Sequence, residues 1–252
     1  MRFIEVMFSI YKKELTGFFS TLTGYIVIGV FLVVNSLFMW VFPGEFNIPE
    51  GGYATLDTIF LISPWVFLLL VPAVTMRMIS EEKRLGTIEL LYARPVTEAR
   101  IVAGKYLASV TLVLLSLLPL GVSYLTVWFA GDPAGNLDVG GTWGSMIGLF
   151  FLAAIYAAIG LFASSLTENQ VISFIVAVII SFIMFTGFDS LAWLPGLSQV
   201  DEFVVRLGIN EHYRSMSRGV IDIGDIAYFM AVIVTFNEAT RLVLTSRKWR
   251  RR

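Results

Sequence analysis

A long stretch rich in charged residues, 80–100, SEEKRLGTIELLYARPVTEAR, lies between the long apolar runs 59–79 and 101–130. A charged side chain at the centre of a bilayer costs about 2.5 to 3.5 kcal/mol. The stretch is therefore predicted to lie in water, as a loop between two membrane spans. It presents carboxylates beside leucines, which is the kind of surface to which a soluble protein docks. An ordinary solvated loop, charged only to stay out of the membrane, is the alternative.

The order of residues within this loop predicts two short helices joined by a bend. Ser80 and Thr87 are of residue types that cap helix N-termini, and Gly86 permits a backbone bend. Thr97 followed by Glu98 predicts the start of the next helix, because an acidic side chain is favoured near the positive end of a helix. The loop is thus predicted to hold folded structure outside the bilayer.

The rest of the chain carries no sequence motif that is typical of an enzyme active site. Gly104-Lys105 lacks the upstream glycine and the following Ser or Thr of a phosphate-binding loop, so this chain is not expected to bind ATP. There is no cysteine, and the single histidine, His212, is predicted to be a surface residue. Asp189 stands alone near the end of an apolar run, so a two-aspartate protease is not expected. The sequence predicts no enzyme, no metal, no cofactor and no nucleic-acid partner.

Composition and hydropathy indicate an all-α protein that crosses a membrane several times. The chain is 57% hydrophobic and 15% charged, whereas a soluble domain has about 25% charged residues. Residues 2–19 carry apolar side chains at three- and four-residue steps, which predicts an interfacial helix on the membrane surface. A soluble amphipathic helix packed on a partner is the alternative. Residues 1–252 are predicted to form one transmembrane domain with six spans, at about 22–42, 59–79, 101–128, 142–164, 171–193 and 226–245.

The distribution of basic residues predicts the orientation of these spans. An even number of spans places both termini on one side of the lipid bilayer, together with the 80–100 loop. That side holds fifteen of the eighteen Lys and Arg residues, and the other side holds only Arg206, Arg214 and Arg218. The positive-inside rule therefore predicts that the termini and the 80–100 loop are cytoplasmic and that residues 195–225 form an extracytoplasmic segment.

A few residues inside the predicted spans depart from a plain apolar pattern. Gly144 and Gly148 form a GxxxG pair, which is typical of close helix packing, within one subunit or between subunits. Prolines within the second and third spans predict kinks. Asn237, Glu238 and Arg241 lie in the last span, where Glu238 and Arg241 are spaced to form an ion pair.

The loop and its place after the second span resemble the coupling loop of type-2 ABC exporter permeases. The pattern S-E-E-K-x-x-G-T-x-E-L-L-x-x-x-P-V carries the resemblance. The residues that match, and to which the family assigns contact with the ATPase, are Glu81, Glu82, Gly86, Thr87, Glu89, Leu90, Leu91 and Pro95. The resemblance implies the type-2 exporter permease fold, a cytoplasmic ABC ATPase subunit that binds the ATP, and a second permease half in a homodimer or heterodimer.

A closer similarity is to the gliding-motility permeases of the GldF kind. It rests on the stretches TGYI at 23–26, FMWVFPG at 38–44, PWVF at 64–67, PAVTMR at 72–77, GLFASSLT at 160–167, HY at 212–213 and SRGV at 217–220. That similarity implies a bacterial inner membrane and a GldG-type membrane subunit with an extracytoplasmic domain. The polar Asn237-Glu238-Ala239 departs from the apolar run expected there. A scaffold subunit of a motility or secretion machine that translocates nothing, and a passive channel, are the other function classes, although the spans show no polar stripe for a channel.

Overall fold

The computed structural model describes residues 3–89, 96–192 and 205–250, and within these ranges the regular structure is entirely helical. The helices are α1 (Phe3–Ser20), α2 (Thr23–Ser36), α3 (Ile48–Gly51), α4 (Asp57–Thr75), α5 (Arg77–Arg84), α6 (Glu98–Leu117), α7 (Leu120–Ala130), α8 (Val139–Leu166), α9 (Gln170–Phe182), α10 (Phe188–Ala192), α11 (Ile209–Ser217) and α12 (Ile223–Arg250). Single π-helical turns, Leu37–Val41 and Ile183–Gly187, extend α2 and α9. The predicted all-α fold is confirmed.

Six helical segments are long and apolar enough to cross a membrane, as predicted from the sequence. They are Thr23–Val41, Asp57–Arg84, Glu98–Ala130, Val139–Leu166, Gln170–Ser190 and Ile223–Ser246. The second segment runs further than predicted, because α5 continues α4 after a single non-helical residue, Met76. In the third segment the helix is interrupted around Pro119, where α6 ends and α7 begins, so the predicted irregularity at this proline is confirmed.

The centre of the bundle is α8, which packs against α4, α6, α9, α11 and α12. Its residues from Leu152 to Ile159 are almost completely buried. Small side chains allow this crowding. A Cβ atom at Gly160 would lie 1.9 Å from Thr75 Oγ1, so α8 and α4 meet at this glycine without room for any side chain. The first two spans are joined by a buried polar contact, in which Ser63 Oγ donates to Asn35 Oδ1 over 3.0 Å.

The segment predicted to be extracytoplasmic is partly folded into the bundle. Within α11, Ile209, Tyr213 and Met216 are buried against α8. A Cβ at Gly144 would lie 2.3 Å from the Met216 carbonyl oxygen, and one at Gly148 would lie 3.2 Å from the Tyr213 ring. The two glycines of the GxxxG pair thus face α11 of the same chain. Hydropathy missed this burial because α11 is short and strongly amphipathic.

A proline in α4 explains one contact that holds α11 in place. Pro64 has no backbone N–H, so the carbonyl of Phe60, four residues earlier, has no helical donor. The Tyr213 hydroxyl donates to that carbonyl oxygen over 2.8 Å. Burial raises the pKa of Tyr213, which keeps the hydroxyl protonated and able to donate.

The N-terminal helix α1 lies along α6. The approach is close at Gly104, where a Cβ would lie 2.9 Å from the Met7 carbonyl oxygen and 3.0 Å from Ile10 Cβ. The side chains of Ile4 and Phe8 are exposed on another face of α1. One face of α1 therefore packs on the bundle while exposed apolar side chains remain elsewhere, which agrees with the amphipathic pattern read from the sequence.

Candidate functional site

The first half of the charged stretch is a direct continuation of the second span. α5 contains Ser80 in its interior, and the Ser80 hydroxyl donates to the Met76 carbonyl oxygen. The prediction that Ser80 caps a separate helix is therefore wrong. The cap comes from α8 instead: Ser164 Oγ accepts the backbone N–H groups of Ile79 and Ser80, each over 3.0 Å. These N–H groups lie in the first turn of α5, where backbone donors lack carbonyl partners within their own helix.

A side chain of α5 in turn stabilises the C-terminus of α8. Lys83 is buried, and its ammonium group donates to the carbonyl oxygen of Ser165 in the last turn of α8. The final carbonyls of a helix lack helical donors and carry partial negative charge, so a cation is favourable there. Ser164 Oγ also donates to the Met76 carbonyl oxygen over 2.8 Å. The last turn of α8 is thus joined to the start of α5 through Ser164 and to the end of α5 through Lys83.

A buried ion cluster connects α5 to two further helices. Lys105 of α6 has a side chain that is only 1% exposed, and its Nζ lies 2.7 Å from Glu14 Oε1 of α1 and 3.0 Å from Glu82 Oε1 of α5. The same Nζ donates to the Met78 carbonyl oxygen over 2.7 Å. Lys13 completes the cluster at 3.2 Å from Glu82 Oε1. Two lysines thus balance two glutamates where α1, α5 and α6 meet.

The charges of the cluster alter the pKa of its most exposed member, Lys13. Burial on its own would lower the pKa of Lys13, but the carboxylates of Glu82 and Glu14 outweigh that effect, and the pKa is raised. The second carboxylate oxygen of Glu82, Oε2, is buried and has no hydrogen-bond partner among the residues that the structure describes. A cleft of about 380 Å³ opens beside the cluster, lined by Lys13, Glu14, Gly17, Phe18, Thr21, Arg77, Met78, Glu81, Glu82 and Leu85.

After α5 the chain turns at Gly86, whose φ of +70° lies in the left-handed region that favours glycine. Helical backbone resumes at Ile88, which is buried, and Thr87 Oγ1 donates back to the Glu82 carbonyl oxygen over 3.3 Å. Glu89 is exposed. The bend therefore leads the chain away from α5 with its next acidic residue in solvent.

The sequence-predicted site residues fall into separate environments. Glu81 is half-exposed, and its Oε1 lies 3.9 Å from Arg84 Nη2, whereas Glu82 belongs to the ion cluster. Leu90, Leu91 and Pro95 lie outside the described residues. Gly144 and Gly148 lie near the opposite end of α8 from Ser164, against α11, and do not join the site.

The residues that sequence reasoning missed are the partners of the loop. Lys105 is a lysine within an apolar span, and Glu14 lies in the amphipathic N-terminal helix. A charge inside a span is itself a signal, since such residues are rarely left unpaired. Its partners could not be read from the sequence, because Glu14 lies 91 positions from Lys105.

His212 is also placed differently from its prediction. Its side chain is only 16% exposed, and it lies between α11 and α12 with Nδ1 2.7 Å from Asp225 Oδ1. His212 is therefore half-buried beside Asp225 rather than a fully exposed residue of the outer segment. Within the described residues, no group of three or more His, Asp or Glu side chains could hold a metal ion.

Comparison with known proteins identifies a family. The sequence model of the ABC-2 family transporter proteins matches residues 58–217, which run from the start of α4 to the end of α11 and exceed half of the chain. No curated protein matches the chain. The six apolar helices agree with a membrane component of such a transporter rather than with its ATPase. The chain belongs to the ABC-2 family: it is a multi-pass membrane permease of an ABC transporter, and the family implies an ABC ATPase as its partner.

Proposed function

We propose that this permease is driven through the 80–100 loop, onto which a cytoplasmic ABC ATPase docks. The observation that carries the proposal is the buried cluster around Lys105. A displacement of α5 cannot occur alone, because Lys105 ties α5 to α1 and α6, and Ser164 ties it to α8. Force applied at the loop therefore reaches three other helices of the bundle.

Within the loop, the residues divide between contact and positioning. Glu81 and Glu89 are available to solvent and are assigned to direct contact with the ATPase. Glu82 is assigned to holding α5 in place through Lys105. Leu90 and Leu91 are assigned to a groove on the ATPase, where each would contribute about 1.5 to 3 kcal/mol on burial. This permease would bind no cofactor of its own, since the ATPase binds the ATP.

Charge reversal in the loop tests the docking assignment. Glu89→Arg combined with Leu90→Asp is expected to abolish co-purification of the ATPase while the permease remains folded in the membrane. The matched control is Glu45→Arg combined with Tyr53→Asp, because both of these residues are exposed and lie far along the chain from the loop. Retention of the ATPase by the loop variant would mean that the charges serve solvation only.

The proposed orientation places both termini and the loop in the cytoplasm of a bacterial inner membrane. Its support is the excess of Lys and Arg on that side of the predicted spans. Reporter fusions after Lys83 and after Ser246 are expected to report the cytoplasm, and a fusion after Asp138 the opposite side. A cytoplasmic signal from the Asp138 fusion would contradict this orientation without bearing on the docking site.

We further propose two membrane halves in the working complex, either two copies or this chain with a related subunit. Similarity to GldF permeases supports a gliding-motility role with a GldG-type partner. A scaffold that translocates nothing is the second candidate, since it would use the same fold and the same ATPase contact. Uptake or export of candidate substrates by reconstituted vesicles separates the two, because only a transporter gives ATP-dependent flux.

A further inference from the structure

We propose that the cleft beside the ion cluster binds the headgroup of a membrane phospholipid that carries both a phosphate and a primary ammonium group, as phosphatidylethanolamine does. One wall of the cleft is formed by α1 and the turn after it, through Gly17 and Thr21, and the other by α5, through Arg77 and Glu81. Its volume of about 380 Å³ is in the usual range of small-molecule sites, about 300 to 1,000 Å³. The cleft therefore has room for a small polar group.

Two opposite charges in the cleft are left without a close charged partner. The carboxylates of the ion cluster are balanced by its two lysines. Arg77 Nη2 donates to the neutral Thr23 Oγ1 over 2.8 Å, and Arg77 has no ion pair with a carboxylate among the described residues. Glu81 Oε1 lies 3.9 Å from Arg84 Nη2, which is too long for a hydrogen bond. The α5 wall thus presents one cation and one anion that are a single helical turn apart.

The length of the second span places this cleft at the level of the lipid headgroups. The segment Asp57–Arg84 has 28 residues, which corresponds to about 42 Å of helix, whereas the hydrocarbon core is about 30 Å thick. Counted from Asp57, the excess of about 12 Å equals the length of α5, which has 8 residues. The exposed Ile4 and Phe8 of α1 are typical of a helix that lies at the lipid surface. Phospholipid headgroups therefore surround the cleft.

The charges of the cleft select the chemistry of the headgroup. A guanidinium group binds phosphate, and the hydroxyls of Thr21 and Thr23 lie beside Arg77, 3.2 Å from each other. An ammonium group can donate N–H hydrogen bonds to Glu81, and only two carbon atoms separate it from the phosphate in ethanolamine, which suits side chains whose Cβ atoms are about 5 to 6 Å apart. The trimethylammonium group of choline has no N–H and is recognised by aromatic cages. Of the described residues that line the cleft, only Phe18 is aromatic.

A glycine keeps the cleft open and provides the means to block it. A Cβ atom at Gly17 would have no other atom within 4 Å, although this residue lines the cleft. A leucine there would fill the cleft without displacing a packed neighbour, and leucine is the better helix former. Gly29 of α2 also has no atom within 4 Å of its Cβ position and does not line the cleft, so Gly29→Leu is the matched control. A bound headgroup would contact both α1 and α5, the helices that the ion cluster already joins.

Lipid titration followed by native mass spectrometry tests the site. The full chain, purified in detergent and depleted of lipid, is titrated with phosphatidylethanolamine, phosphatidylcholine or phosphatidylglycerol with identical acyl chains. Phosphatidylethanolamine is expected to bind about tenfold more tightly than the other two, as for the gain of one charge-assisted hydrogen bond. Gly17→Leu is expected to lose this preference while keeping the wild-type Tm in lipid-free detergent, and Gly29→Leu is expected to keep the preference. Equal affinities for the three lipids, or a wild-type preference in Gly17→Leu, would overturn the proposal.

Two charge variants distinguish the two ends of the headgroup. Glu81→Gln is expected to weaken binding of phosphatidylethanolamine but not of phosphatidylglycerol, which has no ammonium group. Arg77→Gln is expected to weaken both, because both carry a phosphate. Unchanged phosphatidylethanolamine affinity in Glu81→Gln would refute the assignment of the ammonium group. Soluble glycerophosphoethanolamine, which has the same headgroup without acyl chains, should compete only at much higher concentration; competition at the concentration of the lipid would show that the ligand is a soluble molecule instead.

Discussion

Replacement of Lys105 by methionine is the most direct test of the ion cluster. The change keeps the length and apolar stem of the side chain but removes the ammonium group that contacts Glu14, Glu82 and the Met78 carbonyl. Removing one partner of a buried ion pair costs about 3 to 5 kcal/mol, because the other charge stays buried without compensation. Lys13 still faces both carboxylates, so we expect the lower end, about 3 kcal/mol.

The expected loss is measurable as thermal unfolding of the purified permease in detergent. For a chain of this size, 1 kcal/mol corresponds to a change in Tm of about 2 to 4 °C, so Lys105→Met is expected to lower Tm by about 6 to 12 °C. The triple change Lys105→Met, Glu14→Gln and Glu82→Gln should recover most of this loss, since no buried charge is then left uncompensated and the remaining charged member, Lys13, is largely exposed to solvent.

An exposed ion pair provides the comparison. Glu238 and Arg241 lie 2.7 Å apart on α12 with both side chains about half exposed, and such pairs contribute about 0 to 1 kcal/mol. If Lys105→Met lowers Tm by no more than Arg241→Gln does, the cluster does not hold α1, α5 and α6 together. If the triple variant is as unstable as the single one, uncompensated charge is not the cause of the loss.

Two further predictions concern the contacts of α4. Tyr213→Phe leaves the Phe60 carbonyl without a donor, at an expected cost of about 1 to 3 kcal/mol in unfolding free energy; the cost should shrink in a Pro64→Ala background, where a backbone N–H becomes available, and an equal cost in both backgrounds would contradict this explanation. Gly160→Ala places a methyl group against Thr75 Oγ1 and is expected to cost about 1 to 3 kcal/mol, with partial recovery on adding Thr75→Ala; an unchanged Tm would show that α8 and α4 can separate freely at this point.

The sequence by itself determined the elements of this fold. Six apolar runs of membrane length predict six spans, and the density of charge in residues 80–100 predicts a break between the second and third of them. These predictions succeed because the cost of placing a charge or an unpaired peptide group in hydrocarbon is local and large. The start of α6 after Thr97 and the helical break at Pro119 were also readable, since each follows from the chemistry of a few adjacent residues.

Helix boundaries near the loop depended on contacts that the sequence does not reveal. Ser80 is a good capping residue, yet it lies inside α5, because the hydroxyl that caps α5 belongs to Ser164 on α8. Capping preferences describe a helix end that is satisfied by its own chain segment. A donor satisfied by a residue 84 positions away removes that local preference.

The candidate sites were decided by the tertiary structure. Lys105, Glu14 and Glu82 are far apart in sequence, and they meet only because α1 packs closely on α6 at Gly104 while α5 continues the second span. His212 looks like a residue of a polar outer segment, but packing of α11 against α8 places its ring between two oxygen acceptors. Hydropathy reports the preference of each segment for lipid or water. Which side chains become partners depends on where the helices cross. Those crossing points are set by small residues and by carbonyl groups that a proline leaves without a helical donor.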